Sequence, residues 1–471
     1  MKKTNLSNMK SAIRAAEGFA EVALLSVLYY LFWRNGYDEG IFPSYFGYGK
    51  YVLAGVYALV VVVLFFNFEC FRFGYLKLID VVISQWIALF IANFITYWQL
   101  CLIANVVITP VPVLMLMAAD LFVSFICAYC YTKIYHRIFV PRNMVMIVGT
   151  NDAIALKFKM DTRSDKYHVS KMLHEEDGFE RISAEIMNYD AVIINEVSSK
   201  LRNDLLKVCY EKRIRTYVTP KISDIIITGA EDINLFDTPL LLVKGRGLTY
   251  SQRACKRFMD ILLCTIALVL TLPIMLIVAL AIKLEDGGPV FYRQKRVTRN
   301  GNVFEILKFR SMIVDAEKEG VSIPATDCDP RITKVGRIIR ATRIDELPQI
   351  FNILRGEMSI VGPRPERVEH MEKYRAEIPE FDFRLKVKGG LTGYAQIYGK
   401  YNTSPYDKLR LDMIYIEKYS LMMDIKLILM TIRVMFKKES TEGFDKIEDT
   451  QRKTEVVIQQ LMEDREQGRK D

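Results

Sequence analysis

The chain has 471 residues, 51% of them hydrophobic and 25% charged, with a formal net charge of +9. That length allows two or three domains, and the mixture fits a membrane anchor joined to soluble parts better than one globular domain. Spread over so long a chain, and with no basic stripe interleaved with aromatics, the excess charge argues against nucleic acid and for a basic face toward anionic lipid. The eight cysteines are scattered. Cys127 and Cys130 form a C-x-x-C inside an apolar span, where they read as packing residues. No second pair completes a zinc site, which implies a reduced, cytoplasmic setting for the soluble parts.

Four apolar segments come first, at residues 18–33, 51–68, 78–102 and 106–131. Each is near the ~20 residues a helix needs to cross the hydrocarbon core. The first has no small-residue cleavage site and reads as a retained helix rather than a removed signal. Tyr29, Tyr30, Trp33, Tyr97 and Trp98 lie toward segment ends, where amphipathic rings favour the interface. Lys2, Lys3, Lys10 and Arg14 precede the first span, Arg72 and Lys77 separate the second and third, and Lys133, Arg137 and Arg142 follow the fourth. Between residues 34 and 50, Arg34 and Lys50 are balanced by Asp38 and Glu39. By the positive-inside rule both ends of this bundle, residues 1–140, are cytoplasmic. Glu69 and Asp80 sit near span ends, where a solvated headgroup position is expected. Asp120 is deeper, and is either a packing residue or part of a lipid pathway.

From residue 141 the character changes. Met144 to Val148 reads as a buried strand ending at the Gly149 turn and followed by a helical stretch. Ala191 to Ile194 reads as a second strand, residues 202–213 as a helix, and residues 215–220 as a third strand. The alternation predicts a small Rossmann-like α/β domain over residues 141–245. Its nucleotide fingerprint is degenerate: of G-x-G-x-x-G only Gly149 is present, with Asn151 and Ile154 in the later positions. A structural or regulatory domain follows, without bound NAD.

A fifth apolar run covers residues 261–282, with Arg253, Lys256 and Arg257 before it and Lys283, Arg293, Lys295 and Arg296 after it. Both flanks therefore prefer the same face. Pro273 near its middle removes a backbone donor. A break there predicts a helix over 258–284 that enters the membrane, bends and returns, against the alternative of an ordinary kinked span.

Residues 246–436 then turn polar and rich in short motifs. Residues 290–294 and 304–310 read as extended around a Gly301 turn. Arg337, Arg340 and Arg343, spaced by three, would share one helical face. Asp345 is placed to cap the next helix, with Pro348 in its first turn, an apolar stripe at Ile350, Phe351, Ile353 and Leu354, and Gly356 as the stop. Asp345 and Glu346 would then lie at the positive end of a helix dipole, which favours an ionised nucleophile and a bound phosphate. Adjacent carboxylates also suit Mg²⁺, which takes one or two carboxylates plus substrate phosphates. A solvated cap beside a surface arginine face is the bland alternative.

Six ordered motifs carry a resemblance: Tyr292-Arg293-Gln294; Lys308-Phe309-Arg310-Ser311-Met312; Arg343-Ile344-Asp345-Glu346-Leu347-Pro348-Gln349; residues 352–359; Val361-Gly362-Pro363-Arg364-Pro365; and Lys388-Gly389-Gly390-Leu391-Thr392-Gly393. The chain resembles the bacterial sugar transferases, the polyprenyl-phosphate phosphoglycosyltransferases, over residues 255–436. With its four spans it is similar to the long form that builds capsule or exopolysaccharide. The resemblance implies a multidomain membrane protein: four transmembrane helices, a Rossmann-like α/β domain, and an α/β catalytic domain with a re-entrant membrane helix. It implies transfer of a hexose-1-phosphate from a UDP-sugar to undecaprenyl phosphate, with release of UMP, at the cytoplasmic face of the bacterial cytoplasmic membrane. Asp345 would be the nucleophile and, with the diphosphate, the Mg²⁺ ligand, and Glu346 its assistant. Arg340 and Arg364 match phosphate-contacting positions, Lys308, Arg310 and Gln396 complete the expected substrate-binding set, and Pro273 marks the membrane-helix break. Glucose, galactose and N-acetylated hexosamines are the candidate sugars, and long members suggest a homodimer. The tail, residues 437–471, is charged and is expected to be helical, with a packing stripe at Val456, Val457, Ile458, Leu461 and Met462. Two other readings remain: a nucleotide-sugar oxidoreductase or dehydratase, which needs the missing glycines, and a non-enzymatic scaffold of polysaccharide assembly.

Overall fold

The computed structural model describes residues 2–36, 48–149, 153–233, 237–314, 329–399 and 403–435. The expected tail helix, Asp38, Glu39 and Asn151 lie outside them. The chain divides into two compact units, residues 1–217 and 218–471.

The first unit begins with four long helices, α1 (Lys2–Gly36), α2 (Gly49–Asn67), α3 (Leu78–Ala104) and α4 (Val111–Ile138). All four are long and apolar enough to cross a membrane. The fourth begins later than expected, because Pro110 stands at its N-cap and a second proline occupies its first turn. Apolar side chains gain little by meeting each other in lipid, so polar contacts and close packing must hold such helices together. Asp120 is fully buried. Its Oδ2 accepts from the Tyr57 hydroxyl at 2.7 Å and from Asn93 Nδ2 at 2.9 Å, which joins α2, α3 and α4. Gln85 Nε2 donates to Glu21 Oε1 at 2.8 Å and ties α3 to α1, while Tyr29 and Tyr57 stack with centroids 4.5 Å apart. Asp120 is thus a helix-joining residue. Glu69, expected to be solvated, is instead buried in a left-handed backbone position and paired with Arg72 at 3.3 Å.

The α/β part of this unit contains β1 (Arg142–Val148), α5 (Ala153–Asp161), β2 (Tyr167–His174), α6 (Phe179–Glu185), β3 (Ala191–Asn195), α7 (Ser199–Glu211) and β4 (Arg215–Val218). The sheet order is β2-β1-β3-β4, and β1 runs parallel to β2 and β3. Met144, Met146, Val148, Val169, Ala191 and Ile193 form its core. Gly149 serves the fold itself: a Cβ there would lie 2.1 Å from the Glu196 carbonyl oxygen, in the loop after β3.

The second unit opens with α8 (Ile222–Thr228) and an antiparallel pair, β5 (Glu231–Ile233) and β6 (Leu240–Leu242). Ile222 and Ile225 pack in one core with Leu248, Val361, Phe381, Leu409 and Met413, so α8 belongs with this unit although it precedes residue 245. Next comes α9 (Tyr250–Asp286), 37 residues long and capped by Thr249, whose side chain accepts from the Gln252 amide. The helix continues through Pro273. Pro273 therefore lies inside one helix and not between two, at a position where a proline allows a kink.

One stripe of α9 packs on its own unit throughout: Cys264 and Leu268 against Phe304, Ile306 and Ile350, and Met275, Val278 and Ile282 against Phe309 and Ile339. The other side, with Val269, Leu270, Leu276, Ile277 and Leu280, is exposed and apolar. Polar residues fix the first turns. Lys256 Nζ meets Asp424 at 2.6 Å, and Asp260 accepts from Ser359 Oγ at 2.7 Å and from the Ile360 amide at 3.1 Å.

The remaining elements are β7 (Phe291–Val297), β8 (Val303–Phe309), α10 (Lys334–Ala341), α11 (Gln349–Arg355), β9 (Ser359–Val361), α12 (Val368–Glu377), β10 (Gly390–Thr392), α13 (Tyr394–Tyr398), α14 (Pro405–Glu417) and α15 (Leu421–Met435). β7 and β8 form the expected antiparallel ribbon around Gly301, and β9 runs parallel to β10.

Candidate active site

The segment that follows α10 departs from its expected form in a way that matters for chemistry. Thr333 caps α10 by accepting from the Gly336 amide at 2.9 Å. The helix ends at Ala341, and Arg343 stands beyond it in the left-handed region with φ 59°. Only Arg337 and Arg340 therefore share the helix; Arg343 is turned off the common face. Residues Ile344–Glu346 form a short 3-10 turn, and α11 begins only at Gln349, with Pro348 at its N-cap. Asp345 is thus the centre of a tight turn and not the cap of α11, so the dipole argument for its charge does not apply. Gly356 ends α11 as expected, with φ 86°.

Two neighbouring elements bring cations to this turn. Lys308, near the end of β8, places Nζ 2.7 Å from Glu346 Oε1. Arg364, in the loop after β9, places Nη2 3.1 Å from the same oxygen. Each is set by a further contact. Asn352 of α11 accepts from the Leu307 amide at 2.9 Å and donates to the Glu305 carbonyl at 2.7 Å, so its side chain pairs with β8 as another strand would. Arg384, buried, bonds Asp412 at 2.8 Å and donates to the Arg364 carbonyl at 2.9 Å. The glycines of the last motif bring backbones together: a Cβ on Gly390 would lie 2.1 Å from the Gly362 amide.

The two carboxylates differ in electrostatic state. Burial alone would push Glu346 up, but Lys308 and Arg364 hold it well below the usual carboxylate range. Asp345 is raised from its ordinary value, chiefly by burial and further by the charge of Glu346. Lys308, Arg340 and Arg343 act in the opposite direction. Among the described residues the Asp345 carboxylate makes no hydrogen bond or ion pair. The turn thus holds one carboxylate fixed by cations and another beside the same cations without a partner, an arrangement suited to binding an anion and attacking it.

Of the expected set, the structure brings together Asp345, Glu346, Lys308, Arg340 and Arg364. Arg310 is engaged elsewhere: it is buried, and its two terminal nitrogens both meet the Asp286 carboxylate at the end of α9, one at 2.8 Å. Gln396 donates to the Leu391 carbonyl at 3.2 Å, and its carbonyl oxygen is buried with no partner among the described residues. Sequence reasoning missed Arg343 as a site cation and missed Arg384 and Asn352 as supports. A left-handed arginine and a strand-mimicking amide leave no local pattern to read.

Known proteins resemble the part of the chain that carries this site. A family model described as bacterial sugar transferase matches residues 251–438. The chain is 39% identical over 248 residues to a UDP-glucose:undecaprenyl-phosphate glucose-1-phosphate transferase of Klebsiella pneumoniae, covering 52% of this chain and 51% of that one. It is 44% identical over 256 residues to a UDP-N-acetylgalactosamine-undecaprenyl-phosphate N-acetylgalactosaminephosphotransferase of Aeromonas hydrophila, covering 53% and 59%. It is 43% identical over 183 residues to a UDP-glucose:undecaprenyl-phosphate glucose-1-phosphate transferase of Caulobacter vibrioides, covering 38% and 68%. The chain spans about half the length of the first two relatives.

Proposed function

The chain belongs to the bacterial sugar transferase family, and from that premise we propose that it transfers a hexose-1-phosphate from a UDP-sugar to undecaprenyl phosphate. In the first half-reaction an Asp345 carboxylate oxygen attacks the β-phosphorus. The bond from that phosphorus to the bridging oxygen breaks, UMP leaves, and the sugar phosphate stays on Asp345. In the second, an oxygen of the lipid phosphate attacks the same phosphorus, the aspartyl bond breaks, and undecaprenyl diphosphate-linked sugar leaves with the carboxylate restored. Lys308, Arg340, Arg343 and Arg364 neutralise the diphosphate and the charge that develops on it. Glu346, held ionised, fixes Lys308 and Arg364 in place.

The observation that carries this reading is the Asp345 carboxylate, partly buried and without a partner among the described residues, beside a cation frame anchored on Glu346. Mg²⁺ fits the donor set. No group of three metal-binding side chains occurs among the described residues, so Asp345 would hold the ion with diphosphate oxygens as the other ligands, where it would offset phosphate charge.

The four N-terminal helices are proposed to cross the membrane with both ends in the cytoplasm, given the distribution of Lys and Arg. Helix α9 is proposed to enter and leave by that same face. Both of its ends bind the one folded unit, through Lys256 and Asp260 at the start and Asp286 at the finish, while its other side is apolar. Undecaprenyl phosphate would then meet Asp345 at headgroup level, in the initiating step of capsular or exopolysaccharide synthesis, and a homodimer is the proposed assembly.

The test is UMP release by the purified protein with undecaprenyl phosphate and a panel of UDP-hexoses and UDP-N-acetylhexosamines. Asp345→Asn is expected to abolish both UMP release and the labelled sugar-phosphate adduct. An adduct at wild-type level in that variant would remove the nucleophile from this mechanism. The scaffold alternative expects Asp345→Asn and Glu346→Gln both to retain function.

A further inference from the structure

We infer that Arg257 and Glu285, near opposite ends of α9, are positioning residues that clamp the two short helices on either side of Asp345 and Glu346. At one end, Glu285 Oε1 accepts from the Lys334 amide at 2.8 Å and the Val335 amide at 3.3 Å. These are the first amides of α10, which have no partner inside that helix, and an anion is favoured there. At the other end, Arg257 donates to the Ile353 carbonyl at 2.5 Å and the Leu354 carbonyl at 2.6 Å. These close α11, where a cation is favoured. The signs are complementary at both grips, and the gripped stretch contains the whole carboxylate turn.

Between the grips, Ile344 and Leu347, the residues flanking Asp345 and Glu346, pack against an apolar cluster made by Met275, Val278 and Ile282 of α9 together with Phe309 of β8 and Ile339 of α10. The helices on both sides of the turn are therefore gripped by one helix, and the two grips set where Arg340, Arg343 and the carboxylates lie relative to one another. The inference rests on the reading that Asp345 reacts, and extends it: the depth and tilt of an apolar helix, which a bilayer controls, are transmitted to the reacting carboxylate.

The experiment uses the full chain in lipid nanodiscs. Glu285→Ala is expected to lower kcat by roughly 10- to 100-fold, the scale on which small displacements act, with KM for the UDP-sugar changed by less than about two-fold. Glu285→Gln keeps an acceptor oxygen at the same place and should restore most of the rate. Hydrogen exchange should quicken at Lys334, Val335 and residues 344–347 in Glu285→Ala. Wild-type kcat in Glu285→Ala, or wild-type exchange in the turn, would overturn the clamp. If Glu285→Ala does not fold, Arg257→Gln is read at the other grip: lower kcat at unchanged KM supports the clamp, and wild-type kcat overturns it. If the wild type releases no UMP, the catalytic reading fails, and the exchange measurement alone decides the clamp.

Discussion

Replacing Lys308 by methionine keeps most of the unbranched stem and removes the ammonium with its charge and donors. Nζ lies 2.7 Å from Glu346 Oε1, with the two side chains 19% and 14% exposed. Unit charges at that distance attract by about 6 kcal/mol in an effective dielectric of ~20. The net loss is smaller, because Arg364 remains on the same oxygen at 3.1 Å and the lysine is relieved of its desolvation. As one charge-assisted hydrogen bond, the contact is expected to contribute about 2 kcal/mol. That corresponds to a drop of about 5 °C in the melting temperature of a domain this size.

The pH dependence has a definite sign. Glu346 is depressed in the folded protein. Its pairing therefore stabilises fully above the ordinary carboxylate range, and is lost as pH falls through the lower native value. The gap between Lys308→Met and wild type should thus be largest near neutral pH and shrink in acid. Activity should move as well. Lys308 is the strongest of the cations acting against the raised value of Asp345, so its loss should push the acid limb of the rate to higher pH. The assay is thermal unfolding in nanodiscs across pH, paired with kcat profiles. Equal melting temperatures at neutral pH, a gap that widens in acid, or an acid limb that moves downward would refute the reasoning.

Chelation of divalent cations with EDTA should stop turnover, and added Mg²⁺ should restore it; full turnover in excess chelator would contradict a role for the ion. Gly149→Ala puts a methyl 2.1 Å from the Glu196 carbonyl oxygen and should destabilise the α/β part by about 3 kcal/mol, measured as faster hydrogen exchange in β1 and β3. Tyr57→Phe removes one of the two donors to Asp120 Oδ2 and should cost the helical bundle roughly 0.6 kcal/mol, read as a small fall in its melting temperature.

Much of the architecture could be read locally. The β7–β8 ribbon was legible because two extended runs face each other across Gly301. The α/β part was legible because β1 and β3 are continuous apolar runs. β2 was not, since Tyr167-His168-Val169-Ser170-Lys171 mixes polar residues into a strand that is buried only at intervals. At the site, the residue types were legible and their partners were not. Lys308 and Arg310 are two positions apart, yet one meets Glu346 and the other Asp286, more than twenty residues back along the chain. The three-residue spacing of Arg337, Arg340 and Arg343 suggested a single face, and the left-handed backbone at Arg343 ended it. Such outcomes depend on which distant segment arrives, which no local period encodes.

The anchoring of α9 also bears on how the polypeptide is made. Cys264 and Leu268 rest on Phe304, Ile306 and Ile350, and Lys256 on Asp424. All of these partners leave the ribosome after the helix they hold. While those partners are still unmade, only the basic residues on both flanks of this apolar stretch favour one face for its two ends. Those contacts can form only once the later residues have been synthesised, and carboxy-terminal truncations that remove Asp424 should loosen the start of α9.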